Sequence, residues 1–249
     1  MTYCLGIKIK DGLIALADGR ITSGTQLSAA QKLIMMESQG RRFFIMTSGL
    51  RSVRDKTLAY LRRTLTQERA EGFPTMLEAV TCFSQRLRQV AKEDREALEA
   101  SKLTFNLHAI IGGKLPGDSE PYMYLVYPEG NWIEVDERTP YLSIGATGYG
   151  KPILDRGLRF DTSMQTALKI AYLSFDSTRF STSDVGYPFD LTTYTNAERQ
   201  WRLTTFDYDD LVEQRQWWNR NITTLLQGLP DSPWVTRLVP PALQGSGGN

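Results

Sequence analysis

The chain has 249 residues, 41% of them hydrophobic and 23% charged, the proportions of a folded globular protein and not of a disordered or fibrous one. With 29 basic against 28 acidic residues the formal net charge is +1, which gives no excess of positive field for a phosphate backbone or an anionic membrane. Neither nucleic acid nor a membrane is an expected partner, and Cys4 and Cys82 are too few for a disulfide framework and lack zinc-site spacing, so no metal or cofactor is implied.

The opening MTYCLGIKIKDG has no basic stretch followed by a long apolar run, and no window approaches a membrane span, so a cytoplasmic location is expected. Residues 2 to 9 and 13 to 17 read as strands joined in a hairpin, and Lys32 to Glu37 and Arg42 to Ser48 as a second hairpin turning at Gly40. The period then changes to 3.6. Met76, Val80, Phe83, Leu87 and Val90 mark one face of a long helix, preceded by a less regular helix through Leu50, Val53, Leu58, Leu61 and Leu65. These two are expected antiparallel on one face of the sheet made by the early strands.

Leu103 to Gly112, Tyr122 to Tyr127 and Trp132 to Val135 return to strand character and are expected to start a second sheet. Gly148 to Gly157 and Met164 to about Asp176 read as a second helical pair, and Glu198 to Phe206 as a late strand. Strands, two helices, strands, two helices predict an α+β fold with two sheets face to face and helices outside each, a four-layer αββα sandwich. A last helix over 208 to 228 aligns Leu211, Trp218, Ile222, Leu225 and Leu229, a stripe that packs on its own subunit or on a neighbour. One domain is expected over residues 1–240, with a flexible tail at 241–249.

His108 is the sole histidine and sits in an apolar strand-like run, with no nucleophile-elbow glycine pattern around any serine. It reads as structural. The chemistry points instead to the N-terminus: removal of Met1 before a small residue leaves Thr2 with a hydroxyl nucleophile and a free α-amine. That amine, with an ordinary pKa of about 7.7 to 8.0, accepts the hydroxyl proton without a histidine. A lysine ammonium nearby favours its neutral form, and a carboxylate orients the lysine; Lys32 and Asp18 are the candidates.

The segment from Thr2 to Thr22, with its leading threonine, alternating strand, Asp-Gly turn and Ala17-Asp18-Gly19-Arg20, resembles the N-terminal hairpin of proteasome β subunits and of the bacterial HslV protease. Lys32 in Gln31-Lys32-Leu33-Ile34 resembles the family's catalytic lysine, two residues early. Thr47-Ser48-Gly49-Leu50 resembles the turn whose glycine amide forms the oxyanion hole. Ile144-Gly145-Ala146-Thr147-Gly148 resembles the Gly-Ser-Gly turn beside the threonine amine, with Ala146 or Thr147 at the serine position. Tyr149-Gly150-Lys151-Pro152-Ile153-Leu154, with Asp176-Ser177-Thr178 and Val185-Gly186-Tyr187-Pro188-Phe189-Asp190-Leu191, is closer to the bacterial Anbu branch, and Ser181 and Asp184 are candidate equivalents of a supporting serine and aspartate.

The resemblance spans residues 2 to about 240 and implies an N-terminal nucleophile hydrolase fold. It implies a threonine peptidase with Thr2 as nucleophile, Asp18 and Lys32 tuning it, Gly49 on the oxyanion and Thr147 supplying the second hydroxyl. The substrate would be a peptide or unfolded protein, and the working form a homo-oligomeric ring or open spiral. An alternative is a catalytically weak subunit that keeps only the fold and assembly. With no nucleotide-binding glycine motif here, any unfolding ATPase would be another chain. Strand alternation adds one expectation: a three-residue Lys10-Asp11-Gly12 loop puts Asp18 on the face of Thr2, and Thr2, Cys4 and Gly6 then form a small-residue face open to an extended peptide.

Overall fold

In the computed structural model of the protein, the described residues are 2–23, 26–29, 31–38, 40–68, 71–231 and 233–238. The tail expected at 241–249 lies outside them. The chain divides into two compact units, the first running to Tyr208 and the second starting at Asp209.

The first unit begins with β1 (Tyr3–Ile9) and β2 (Gly12–Asp18), then a two-stranded ribbon of β3 (Arg20–Ser23) and β4 (Gln26–Ala29), then β5 (Leu33–Ser38) and β6 (Arg41–Gly49). Helices α1 (Arg51–Arg63), extended by a π-helical turn at Thr64–Glu68, and α2 (Met76–Ala100) follow. Four strands, β7 (Leu107–Gly113), β8 (Tyr122–Val126), β9 (Trp132–Glu134) and β10 (Tyr141–Gly145), lead to α3 (Lys151–Gly157) and α4 (Met164–Ser181). The unit closes with β11 (Phe189–Thr195) and β12 (Trp201–Phe206).

The strands form two antiparallel sheets, ordered β10-β1-β2-β11-β12 and β5-β6-β7-β8-β9. Helices α1 and α2 cover the outer face of the second sheet: their stripe of Val53, Leu58, Leu61, Met76, Val80, Phe83, Leu87 and Val90 packs on Phe43, Ile45, Ala109, Ile111 and Val126. Each such side chain taken from water contributes about 1.5 to 3 kcal/mol. Thr75 caps α2, accepting from the Glu78 N–H, while both carboxylate oxygens of Asp118 accept from the Met76 N–H, so two of the first-turn donors are met by side chains. Helix α4 lies on the first sheet, where Tyr3 and Ser174 share a 2.6 Å hydrogen bond. The fold is thus the expected α+β sandwich of four layers.

Two expectations are corrected. The early strands do not make one sheet; the first hairpin enters one sheet and the second hairpin the other, and β10 and β11, not anticipated as strands, flank β1 and β2. Hairpin pairing is local and legible, whereas the choice of a third strand is a long-range packing decision. The β1–β2 loop is also shorter than expected, with Ile9 opposite Gly12 and only Lys10 and Asp11 between them. Asp18 therefore falls opposite Tyr3.

That register places Cys4 and Ala17 in the core between the sheets, with Leu13, Ala15, Phe44, Met46, Ile110 and Met123. Gly6 shares this face, and a Cβ there would stand 2.5 Å from Met123 Sδ and 3.1 Å from Ile110 Cγ2. The small residues of β1 thus let two sheets approach, and are not open to a peptide.

The second unit holds a 3-10 turn at Asp209–Leu211, α5 (Val212–Gln227) and the short α6 (Pro233–Thr236). Arg215 is buried and Leu211 and Trp218 are half-buried, while Leu225 and Leu229, at the C-terminal end of the stripe expected to pack, are 69 and 61% exposed. No helix among the described residues is long and apolar enough to cross a membrane.

Candidate active site

Thr2 stands half-buried at the entrance to β1, and three separate elements converge on its peptide groups. Asp18, the last residue of β2, accepts a 2.8 Å hydrogen bond at Oδ1 from the Tyr3 N–H, the amide joined to the Thr2 carbonyl carbon. Lys32, just before β5, donates from Nζ to the same Oδ1 at 2.8 Å and to the Arg20 carbonyl at 2.6 Å. Two donors on one oxygen are neighbours, so the Lys32 ammonium lies close to Thr2. Asp18 thus meets Thr2 through the backbone, where strand alternation alone would separate them.

The pair is deeply buried, Asp18 at 0% and Lys32 at 5% exposure. Burial pushes the Asp18 carboxyl above the usual range, opposed by the Lys32 charge and hydrogen bond and by the amides of Tyr3 and Gly186. The Asp18 Oδ2 is buried without a hydrogen-bond partner among the described residues. Cys4 is not a rival nucleophile: burial raises its thiol, and its Sγ rests 3.9 Å from the Thr47 carbonyl.

That contact brings the end of β6 to the start of β1. Gly49 closes β6 at φ +136°, where a Cβ would stand 2.2 Å from the Asn106 carbonyl oxygen, so a bare backbone is required. On the other side, the Ala146 N–H donates to the Thr2 carbonyl at 2.7 Å and the Thr147 N–H to the Gly145 carbonyl at 2.9 Å. The turn at Ala146 and Thr147 is therefore fastened to Thr2. Asp18 and Lys32 are thus linked directly beside Thr2, Thr147 sits in the turn fastened to Thr2, and Gly49 lies two residues beyond the Thr47 contact with Cys4.

Ser181 and Asp184 are the candidate equivalents of the supporting serine and aspartate. Ser181 is the exposed last residue of α4 and Asp184 is half-buried in the loop beyond it. Beside the site, Arg20 Nη1 donates to the Ser183 carbonyl at 2.8 Å, and the Gly19 N–H to the Pro188 carbonyl at 2.7 Å. The signal available was the run Val185 to Phe189, whose last residue pairs with Asp18.

Residues 2–193 match the family of proteasome subunits. The chain belongs to the proteasome subunit family. Solved structures refine the placement. The Anbu (Gly-1) mutant of Hyphomicrobium sp. strain MC1 shares 28% identity at a TM-score of 0.83, covering 93% of this chain and 99% of that one. Anbu (ancestral beta-subunit) of Yersinia bercovieri is 28% identical with a TM-score of 0.80 over 92% of this chain and 98% of its own. The Anbu complex of Pseudomonas aeruginosa, solved as a helical assembly, is 29% identical with a TM-score of 0.84 over 93% and 98%. A search of the curated proteins finds no match.

The family match and these likenesses make the chain an Anbu-type proteasome-like protein. Its turn at Ala146 and Thr147 holds Thr2 by backbone and presents a methyl group at Ala146.

Proposed function

We propose that this protein is a threonine peptidase whose nucleophile is Thr2 once Met1 is removed, working in a homo-oligomer. The observation that carries it is the shared Asp18 oxygen, which joins the Tyr3 amide to the Lys32 ammonium beside Thr2. The Thr2 hydroxyl attacks a peptide carbonyl and passes its proton to the α-amine, which returns it to the departing amine; water then releases the acyl group from the Thr2 ester. Lys32, oriented by its hydrogen bond to Asp18, disfavours protonation of that amine. The Gly49 amide is the oxyanion donor, a contribution of about 3 kcal/mol for such a group. Thr147 supplies a hydroxyl to the proton path. Peptides or unfolded proteins are the substrate class.

The helical assembly of the Pseudomonas aeruginosa Anbu complex supports an assembled working form. A second reading, an assembly subunit with weak activity, is favoured by the altered serine turn, where Ala146 or Thr147 takes the serine position that the resemblance implies. Intact mass before and after a peptide epoxyketone, with Thr2→Ala as control, separates the two. Loss of Met1 and one adduct per chain, absent from the control, is the expected result. A processed chain that takes no adduct across several peptide side chains leaves the assembly subunit.

A further inference from the structure

At the opposite end of the sandwich from Thr2 lies a cavity of about 620 Å³, walled by the β5–β6 turn, the segment after β7 and the β11–β12 hairpin. The seven residues of β1 separate it from the candidate active site, roughly 23 Å at strand rise. Four cations line it, Arg41, Arg42, Lys114 and Arg199, from three separate stretches of chain. Two carboxylates stand among them, and one of these, Glu37, forms an ion pair with Arg42. Asp118 already accepts from the N–H groups of Met76 and Leu115, and Glu37 stands 3.9 Å from Arg42.

Arg41 and Arg199 have no carboxylate partner among the described residues, and both charges act on the Tyr194 phenol, which also lines the cavity. Arg199 is held at φ +55°, a left-handed conformation that a long side chain rarely adopts. Its loop is pinned in that shape. The Asn196 N–H donates to the Asp11 carbonyl, its Nδ2 to the Lys10 carbonyl, and the Arg199 N–H to the Thr195 carbonyl, all at 2.8 to 2.9 Å. A strained cation beside a preformed opening, with a second guanidinium that has no carboxylate partner among the described residues, is an arrangement that stability alone does not call for.

We propose that this cavity is an anion site for a compact phosphate-rich molecule. Guanidinium forks bind phosphate oxygens bidentately, and cations on three segments around one opening suit negative charge carried at several points, as linked phosphates carry it. The site is independent of the chemistry at Thr2.

Titration calorimetry of the intact protein with sodium tripolyphosphate tests this, with citrate as a carboxylate of similar charge. The expected result is saturable tripolyphosphate binding that weakens with added salt and falls by roughly tenfold or more in Arg41→Gln/Arg199→Gln. Both arginines are exposed, so the variant should keep the wild-type melting temperature, and Thr2→Ala should bind as wild type. Absent binding, unchanged binding in the double variant, or citrate binding as tightly, would overturn the proposal. So would a double variant that loses assembly while the wild type binds no tripolyphosphate, which assigns the cations to an acidic face of a second copy.

Discussion

The Tyr3 amide and the Asp18 carboxylate, opposite one another at the open end of the β1–β2 hairpin, are joined by a 2.8 Å hydrogen bond, and Lys32 completes the junction from the other sheet. Removing the carboxylate leaves a buried ammonium with only the Arg20 carbonyl. Asp18→Ala is therefore expected to lower unfolding stability by about 3 kcal/mol, read by urea denaturation, and to abolish epoxyketone adduct formation. Asp18→Asn, which retains an acceptor for the Tyr3 N–H, should lose less stability but as much reactivity.

Gly6 tests the close approach of the two sheets. Gly6→Ala puts a methyl group into Met123 Sδ and is expected to cost about 1 to 3 kcal/mol. In a Met123→Ala background the cost should fall by about 1 kcal/mol or more, a coupling measurable by a double-mutant cycle. Additive costs would mean that the strain is relieved elsewhere.

Gly49→Ala meets backbone, not a flexible side chain, at the Asn106 carbonyl, and does so at a φ that alanine disfavours. A loss of about 2 kcal/mol or more is expected. The variant should also react more slowly with the epoxyketone even at temperatures where it remains folded, because the turn that carries the proposed oxyanion donor must shift. Equal reaction rates would remove Gly49 from the proposed mechanism.

The α1–α2 pair carries a pH-dependent tie. Glu93 accepts from Lys56, Tyr60 and Gln89, and the Lys56 hydrogen bond, with those of Tyr60 and Gln89, holds its carboxyl down to about 2 from an ordinary 4.5. A folded value below the unfolded one means stability present above about 4.5 and lost as pH falls toward 2. The melting-temperature gap between wild type and Glu93→Gln should therefore be full at pH 6 and shrink steadily between those limits. The gap should also narrow in high salt, since the partners are partly exposed.

The sequence by itself determined what is local. The two hairpins, the 3.6-residue stripe from Met76 to Val90 and the small residues of β1 were visible because each follows from a period, a turn or a side-chain volume within a short stretch. Thr2, Asp18 and Lys32 were legible as a set through their spacing and family likeness. Tertiary structure decided the partners of each element. It assigned the hairpins to different sheets, added β10 and β11 beside them, and turned the Cys4 and Gly6 face inward against Met123. It also set how the candidate site is joined, since a one-residue change in loop length moved Asp18 off the face of Thr2 and the backbone amide of Tyr3 restored the link. Sequence periodicity reports which face of an element is apolar; which other element covers that face depends on contacts between residues far apart in the chain, and only the folded whole selects among them.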